Sequence, residues 1–539
     1  MENLPLGRLP MWPGTTTKAV GQALRNPKVL SGGGVFERVN EIAEADPDAV
    51  AVVDGARVMT YRQLSERVRR LRLVLRGRGC RPGDLVGVAG PRSAELIAAF
   101  LAIESLGAAY LPVDPGWPAG QLADMARTAR PRCVLVIGDS PPPPTPVVRP
   151  PAADAPMSPA EPARRAPADE PRYVIHTSGS TGRPKGVVVA QSGLLNHLWS
   201  MVHELELGPS DSVAFTAAPS YVISIWQMLA ALLVGGRVVV IPEGDAVFGR
   251  RLVTALSRGG VTVAELVPTA IGWLAEEHRR RPETAQLPSL RCLVSTGEKL
   301  SPGLAARVLR DRRGIRLVNA YGATECADDV TLHRVTPADC AAERLPIGVP
   351  LPNVALYLLV LEDGAWRAAE PGEPGELWVG GAGVACGYHG EPELTRGAFF
   401  VDEFDPDSPT GRLYRTGDFA VFSENRVYCL GRADRQVKVA GVRIELDEVE
   451  AAVAAVPGVA GCAVVVQGED GDVHLHAYYG AEPSVPPERV RGAVELRLPK
   501  AMVPRHWTRL DSLPLNSSGK VDYRGVGGRT GAIDQRETV

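Results

Sequence analysis

From Val35 onward, apolar positions along this chain follow two alternating periods. Residues 35–45 and 60–76 repeat them every three to four positions, which predicts amphipathic helices. Residues 49–54, 85–89 and 109–113 are short apolar runs between polar or glycine-bearing stretches, which predicts strands. Thr60 has the side chain of a helix N-cap, and Gly77 and Gly79 mark that helix's end. A further helix is predicted over 93–106. This alternation implies βαβ units and a mostly parallel sheet.

Residues 139–171 are rich in proline and alanine, with Pro141 to Pro144 consecutive, and read as a loop. The alternation resumes at Tyr173 and runs to about Arg334. A β-rich section covers 351–430, with turns at Glu362-Asp363-Gly364 and Pro371-Gly372. Beyond Arg432 lies a smaller α/β piece with helices predicted over 446–455 and 487–497. The fold class is α/β (mixed α+β), and no internal repeat is visible.

The 539 residues are 45% hydrophobic, enough for large cores, and the net charge is −3, with no long basic run. A nucleic-acid partner would need a basic footprint, so none is expected. No run approaches the roughly 18 apolar residues of a membrane-spanning helix. The first 33 residues carry scattered prolines and charges instead of an apolar signal core. Eight dispersed cysteines without a CxxC pair argue against a zinc site or a disulfide framework. The expectation is a reduced, cytoplasmic protein.

Candidate chemistry starts at His176-Thr177-Ser178-Gly179-Ser180-Thr181-Gly182-Arg183-Pro184-Lys185-Gly186, which joins two apolar runs. Glycines let backbone N–H groups approach an anion, hydroxyls add donors and Lys185 adds charge, which together suit a nucleotide triphosphate. Lys185 is followed by Gly186 and a valine run, so this is not the Gly-Lys-Ser/Thr loop that opens a helix. Taken alone, the loop also fits a solvated turn. Further glycine-flanked clusters accompany it. Asn319-Ala320-Tyr321-Gly322-Ala323-Thr324-Glu325 offers an aromatic ring, a hydroxyl and a carboxylate. Tyr414-Arg415-Thr416-Gly417-Asp418 offers a second carboxylate, followed by Gly431 to Lys438 and by Asn516-Ser517-Ser518-Gly519-Lys520.

Together with Met59 to Leu64, Gly107 to Asp114, Gly375-Glu376-Leu377, the whole of Gly431 to Glu450 and Leu498 to Pro504, these segments resemble the adenylate-forming superfamily. That superfamily includes acyl-CoA synthetases, luciferases and the adenylation domains of nonribosomal peptide synthetases, and the chain is most similar to the last group. The resemblance implies a large N-terminal domain over residues 34–432, of sheets flanked by helices with a β-barrel-like section. It also implies a small mobile C-terminal domain over 433–528, a poorly ordered leader over 1–33 and a tail over 529–539.

The activity it implies uses ATP and Mg²⁺. An acid becomes an acyl-adenylate, and a thiol then takes the acyl group. Carried over by position, Thr177, Ser178, Gly179, Ser180, Thr181, Gly182 and Lys185 would contact the phosphates. Tyr321 would stack on adenine beside Gly297, Glu298, Asn319 and Thr324; Glu325, with Thr181, would hold Mg²⁺; Asp418 and Arg432 would bind ribose. Lys520 would be the catalytic lysine, Asp434 the hinge, and Lys438 to Gly441 the segment presented to the thiol. Ala323, Ala440 and Cys386 depart from the proline, arginine and arginine frequent in the family.

The acid pocket implied by the resemblance is Tyr221, Val222, Ile223, Trp226, Glu265, Val294, Thr296, Ala320, Asp328 and Asp329. Relatives that activate α-amino acids have an aspartate where Val222 sits, and a buried ammonium without a counter-charge is costly. Glu265, in an otherwise apolar run, wants a cationic partner. The expected substrate is therefore a β-amino, ω-amino or guanidino acid. A neutral aryl, hydroxy or keto acid is the alternative. Asp328 or Asp329 could instead cap a helix or pair with Arg334. The expected acceptor is the phosphopantetheine thiol of a separate carrier protein in natural-product biosynthesis, against the alternative of an acyl-CoA ligase. A small activator protein is a further partner the resemblance admits.

Overall fold

The computed structural model describes residues 34–143, 145–157, 166–177, 184–432, 435–468, 473–510, 513–514, 523 and 526. The predicted amphipathic helices form at Val35–Ala45 and Tyr61–Gly77, and Thr60 caps the second. Thr60 Oγ1 accepts from Gln63 N at 3.3 Å while Gln63 Oε1 accepts from Thr60 N at 2.9 Å, a reciprocal cap. The helix Ala94–Ser105 is buried almost all round, as its nearly unbroken apolar sequence requires.

Among the described residues, the first sheet has seven strands. Leu85–Ala89, fully buried, lies at its centre between the parallel strands Ala109–Val113 and Cys133–Val136. Pro171–Thr177 extends the parallel set, and Lys185–Ala190 returns antiparallel beside it, with Thr177 opposite Lys185. The segment read as loop over 139–171 contains one short strand, Val147–Val148, because two β-branched residues meet the free edge of Cys133–Val136.

The second sheet has nine strands, with a parallel centre made of Val50–Asp54, Arg237–Val240, Ser212–Phe215, Val263–Leu266, Cys292–Ser295 and Arg316–Ala323. Asp328–Arg334 turns back antiparallel along Arg316–Ala323. The carboxyl ends of the parallel strands thus bring Glu265, Thr296 and Tyr321 to one edge, where open α/β sheets bind ligands. One continuous core joins both sheets through the enclosed helices.

The β-rich section is a six-stranded antiparallel sheet that includes Val354–Glu362, Gly375–Gly381, Arg412–Ser423 and Arg426–Arg432. Its register sets Asp418 opposite Arg432. Past residue 435, a hairpin of Gln436–Val439 and Val442–Glu445 leads into helix Leu446–Ala454. A three-stranded sheet and helix Pro487–Glu495 complete this part, whose core of Ile444, Val449, Val464 and Tyr479 is its own. The hairpin turn, Ala440-Gly441, has φ of 49° and 77°, the paired left-handed geometry of a two-residue connection. All eight cysteines are free thiols, and no helix among the described residues is long and apolar enough to cross a membrane.

Candidate active site

Glu325 sits on the 3₁₀ turn Thr324–Cys326 and is wholly buried. Its carboxylate accepts from Tyr388 Oη at 2.9 Å and from Arg443 Nη1 at 2.8 Å, and Lys185 Nζ lies 3.5 Å away. Burial alone would raise its pKa, but the positive charges of Arg443 and Lys185 outweigh that and bring it down to about 2. Lys185 also donates to Tyr388 Oη at 2.9 Å; desolvation lowers its pKa and the Glu325 carboxylate opposes that. Strand pairing accounts for this cluster, because Lys185–Ala190 also pairs with Gly387–Tyr388.

Tyr321 donates from Oη to Asp418 Oδ2 at 2.6 Å. Asp418 lies 3.3 Å from Arg432 Nη1, which also donates to the Thr416 carbonyl at 2.8 Å. Lys438 Nζ stands 6.0 Å from the centre of the Tyr321 ring, at the outer limit of a cation–π contact. Gly297, with φ 82°, precedes Glu298, whose carboxylate accepts from Thr269 N at 3.0 Å and from Gly441 N at 2.9 Å. Asn319 is buried and donates to the Pro346 carbonyl at 2.9 Å. Thr324 opens the Glu325 turn. Among the described residues, Thr177 Oγ1 is buried without a hydrogen-bond partner. Ser178, Gly179, Ser180, Thr181, Gly182, Asp434 and Lys520 lie outside the described residues.

The pocket positions split into an apolar wall and a carboxyl cluster. Val222 precedes helix Ile223–Leu229, on which Trp226 is fully buried; Val294 and Ala320 are buried on neighbouring strands, and Tyr221 is partly exposed. Trp226 Nε1 donates to Glu265 Oε2. Thr296 Oγ1 donates to Asp329 Oδ1 at 2.9 Å. Burial, then the charges of Asp329 and Asp328, push the Glu265 carboxyl well above the usual range. Burial and Asp328 also raise the Asp329 pKa, to about 6, so the pair shares one proton, favoured on Glu265, whose rise is the larger. The two carboxyls are hydrogen-bonded to each other through that proton, and among the described residues no other group bonds Glu265 Oε1 or Asp329 Oδ2.

Asp328 faces His197 on helix Gln191–Glu204, with Nε2 to Oδ2 3.4 Å apart. Neither aspartate caps a helix or pairs with Arg334 among the described residues, since both point inward and Arg334 is exposed at its strand end. Backbone strain helps place them. Asp328 has φ 104° and Ala327 φ 62°, both sparsely populated for non-glycine residues. Gly322 lies so close that a Cβ there would collide with the Asp328 carbonyl.

The structure thus joins Lys185 with Glu325, Tyr321 with Asp418 and Arg432, Glu298 with Gly441, and Trp226, Glu265, Thr296 and Asp329 with one another. Sequence reasoning missed Tyr388, Arg443, Thr269 and His197. Arg443 lies inside the matched Gly431 to Glu450 segment, where sequence reasoning gives it no role; the other three carry no local pattern, and each becomes meaningful only once a distant strand or helix sets it beside a carboxylate.

The AMP-binding enzyme model matches residues 39–389, and the AMP-binding enzyme C-terminal domain model matches 448–520. The chain is 39% identical over 500 residues to a probable non-canonical nonribosomal peptide synthetase, CymA, of Salinispora arenicola (strain CNS-205), covering 90% of this chain and 6% of that protein. It is 35% identical over 506 residues to phenyloxazoline synthase MbtB of Mycolicibacterium paratuberculosis (strain ATCC BAA-968 / K-10), covering 92% of this chain and 42% of the relative. The chain therefore spans only a part of these relatives. Among solved structures, holo-PA1221, a nonribosomal peptide synthetase protein containing adenylation and carrier (PCP) domains, superposes with a TM-score of 0.81 at 28% identity, over 94% of this chain and 84% of that one. IdnL1 superposes with a TM-score of 0.74 at 28% identity, over 90% and 99%. The chain belongs to the AMP-binding enzyme family, the adenylate-forming ligases, and within it is similar to the adenylation units of nonribosomal peptide synthetases.

Proposed function

We propose that this chain activates a carboxylic acid bearing a cationic group away from its α-carbon, with ATP, and passes the acyl group to the phosphopantetheine thiol of a carrier protein. In the first step an acid oxygen attacks the α-phosphorus, and the bond from that phosphorus to pyrophosphate breaks. In the second, the thiol sulfur attacks the acyl carbon, AMP leaves, and the thiol proton goes to solvent. The barrier of the first step is lowered chiefly by positioning and charge stabilisation.

The donor set fits Mg²⁺. Glu325 is held ionised despite full burial by Arg443 and Lys185 and would offer a carboxylate oxygen to a magnesium ion, which asks for one or two carboxylates plus phosphate oxygens. Glu325, with Thr181, would hold the ion, which supplies charge neutralisation to the phosphates. Lys185 and the hydroxyl of Thr177 would orient the nucleotide, and Tyr321, Asp418 and Arg432 its nucleoside. Lys520 is assigned the bridge between acid and nucleotide, with rotation near Asp434 exchanging it for the 438–441 segment. The Gly441 N–H on Glu298 supports that segment's role in thiol transfer.

The observation that carries the substrate class is the buried, proton-sharing carboxyl pair Glu265 and Asp329, whose hydrogen-bond partners Trp226 and Thr296 are neutral, in a pocket where Val222 offers no counter-charge to an α-ammonium. The carrier as acceptor draws on the similarity to structures containing adenylation and carrier domains. ATP–pyrophosphate exchange across a panel of α-amino, distal-amino, guanidino, hydroxy and aryl acids tests the assignment. Exchange restricted to the distal cationic acids is expected. Exchange with ordinary α-amino acids alone, or with the neutral acids alone, would overturn it. Lys520→Ala should abolish exchange, and undiminished exchange would remove the proposed role of that lysine.

A further inference from the structure

The cluster at the acid pocket extends one layer beyond the positions that line it. His197 is buried on the helix Gln191–Glu204, and its ring nitrogen lies 3.4 Å from Asp328 Oδ2. One nitrogen of His197 and one carboxylate oxygen each of Asp328 and Asp329 lie within 4.8 Å of one another. Other groups facing the cluster are Glu265 on the strand Val263–Leu266, Trp226 on its helix, Thr296 and the buried Tyr173. Of these, His197 is the cationic side chain set against the carboxyls. Burial alone would discharge its imidazole; the Asp328 carboxylate at 3.4 Å, with Asp329, outweighs that and raises its pKa.

The charges can then be counted. Three carboxyls buried this close together do not all ionise, and burial with the neighbouring aspartates raises Glu265 most, which leaves the cluster two negative charges. The imidazolium cancels one of them. The remaining charge lies at Asp329, whose hydrogen-bond partners Thr296 and Glu265 carry no positive charge. A buried charge of this kind asks for one counter-ion, and a second cation brought in with the substrate would be left uncompensated.

We propose that His197 is a specificity-determining residue: by pairing with Asp328 it cancels one of the pocket's two negative charges, so that the pocket selects an acid with a single cationic group over one with two. This rests on the distal-cation reading above and adds the number of charges, set by a side chain that does not touch the acid.

The test measures ATP–pyrophosphate exchange at pH 8 with the full chain and four acids. These are γ-aminobutyric and ε-aminocaproic acids with one cationic group, β-lysine with two, and γ-hydroxybutyric acid with none. The unmodified protein should prefer the singly charged acids. His197→Gln should raise the kcat/KM of β-lysine relative to ε-aminocaproic acid by on the order of tenfold, through KM, because Asp328 is left uncompensated. His197→Gln combined with Asp328→Asn restores the charge count and should return the ratio to its original value, which a merely structural role for His197 would not do. Asp328→Asn alone should move preference toward γ-hydroxybutyric acid. A ratio unmoved in His197→Gln, or not restored in the double variant, overturns the inference while leaving the distal-cation reading intact. Exchange with γ-hydroxybutyric acid alone in the unmodified protein overturns both.

Discussion

Removing the charge of Asp329 should separate cationic from neutral substrates more sharply than any other single change in the pocket. Asp329 is 2% exposed, and its carboxylate is held between Thr296 and Glu265. An ammonium in contact with it, about 4 Å from the charge, gains about 4 kcal/mol at an effective dielectric constant of about 20. Deleting one member of a buried pair typically costs about 3–5 kcal/mol. Asp329→Asn should therefore lower kcat/KM for a distal-amino acid by about three orders of magnitude, at about 1.4 kcal/mol per factor of ten. A neutral acid of the same size should change by no more than about threefold. Glu265→Gln is the informative contrast. Because the Glu265 carboxyl holds the proton, a carboxamide reproduces it: its oxygen accepts from Trp226 and its N–H donates to Asp329. Its loss should stay within about fivefold. Exchange kinetics on the unmodified protein and both variants, with paired amino and hydroxy acids, make the comparison. Equal losses for cationic and neutral acids in Asp329→Asn, or a Glu265→Gln defect as large as that of Asp329→Asn, would refute the assignment of charge.

Because the Asp329 pKa is raised to about 6, discrimination for the cationic acid should fall as pH drops through about 6, while a neutral acid shows no such step; KM measured across that range checks it. Gly441→Ala puts a Cβ against Val267 in a backbone conformation of φ 77°, so transfer to a thiol should slow roughly tenfold while exchange is spared, as single-turnover transfer would show. Arg443→Gln leaves the buried Glu325 carboxylate with Tyr388 and Lys185, and thermal or urea melts should register a loss of about 3 kcal/mol near neutral pH. The pKa of Glu325 in the folded state, about 2, lies below its usual value, so its contribution is full above about pH 4.5 and is lost as pH falls toward 2; that acid dependence should shrink in Arg443→Gln.

The sequence alone determined whatever is encoded locally. Periodicity placed the helices Val35–Ala45 and Tyr61–Gly77 and the strand Leu85–Ala89, because side-chain spacing sets which face can be buried. Glycine-hydroxyl and aromatic-carboxylate clusters marked the candidate chemistry, because those groups sit on single turns at strand ends. Tertiary structure alone decided the electrostatics. Whether Glu265 is a charge or a proton donor depends on Asp329, which strand pairing and the strained turn at Ala327 and Asp328 bring to it from far along the chain. Likewise, only packing puts Arg443 and Tyr388 on Glu325 and His197 on Asp328. Charge interactions depend on distance and burial in space, and neither quantity is written in residue order.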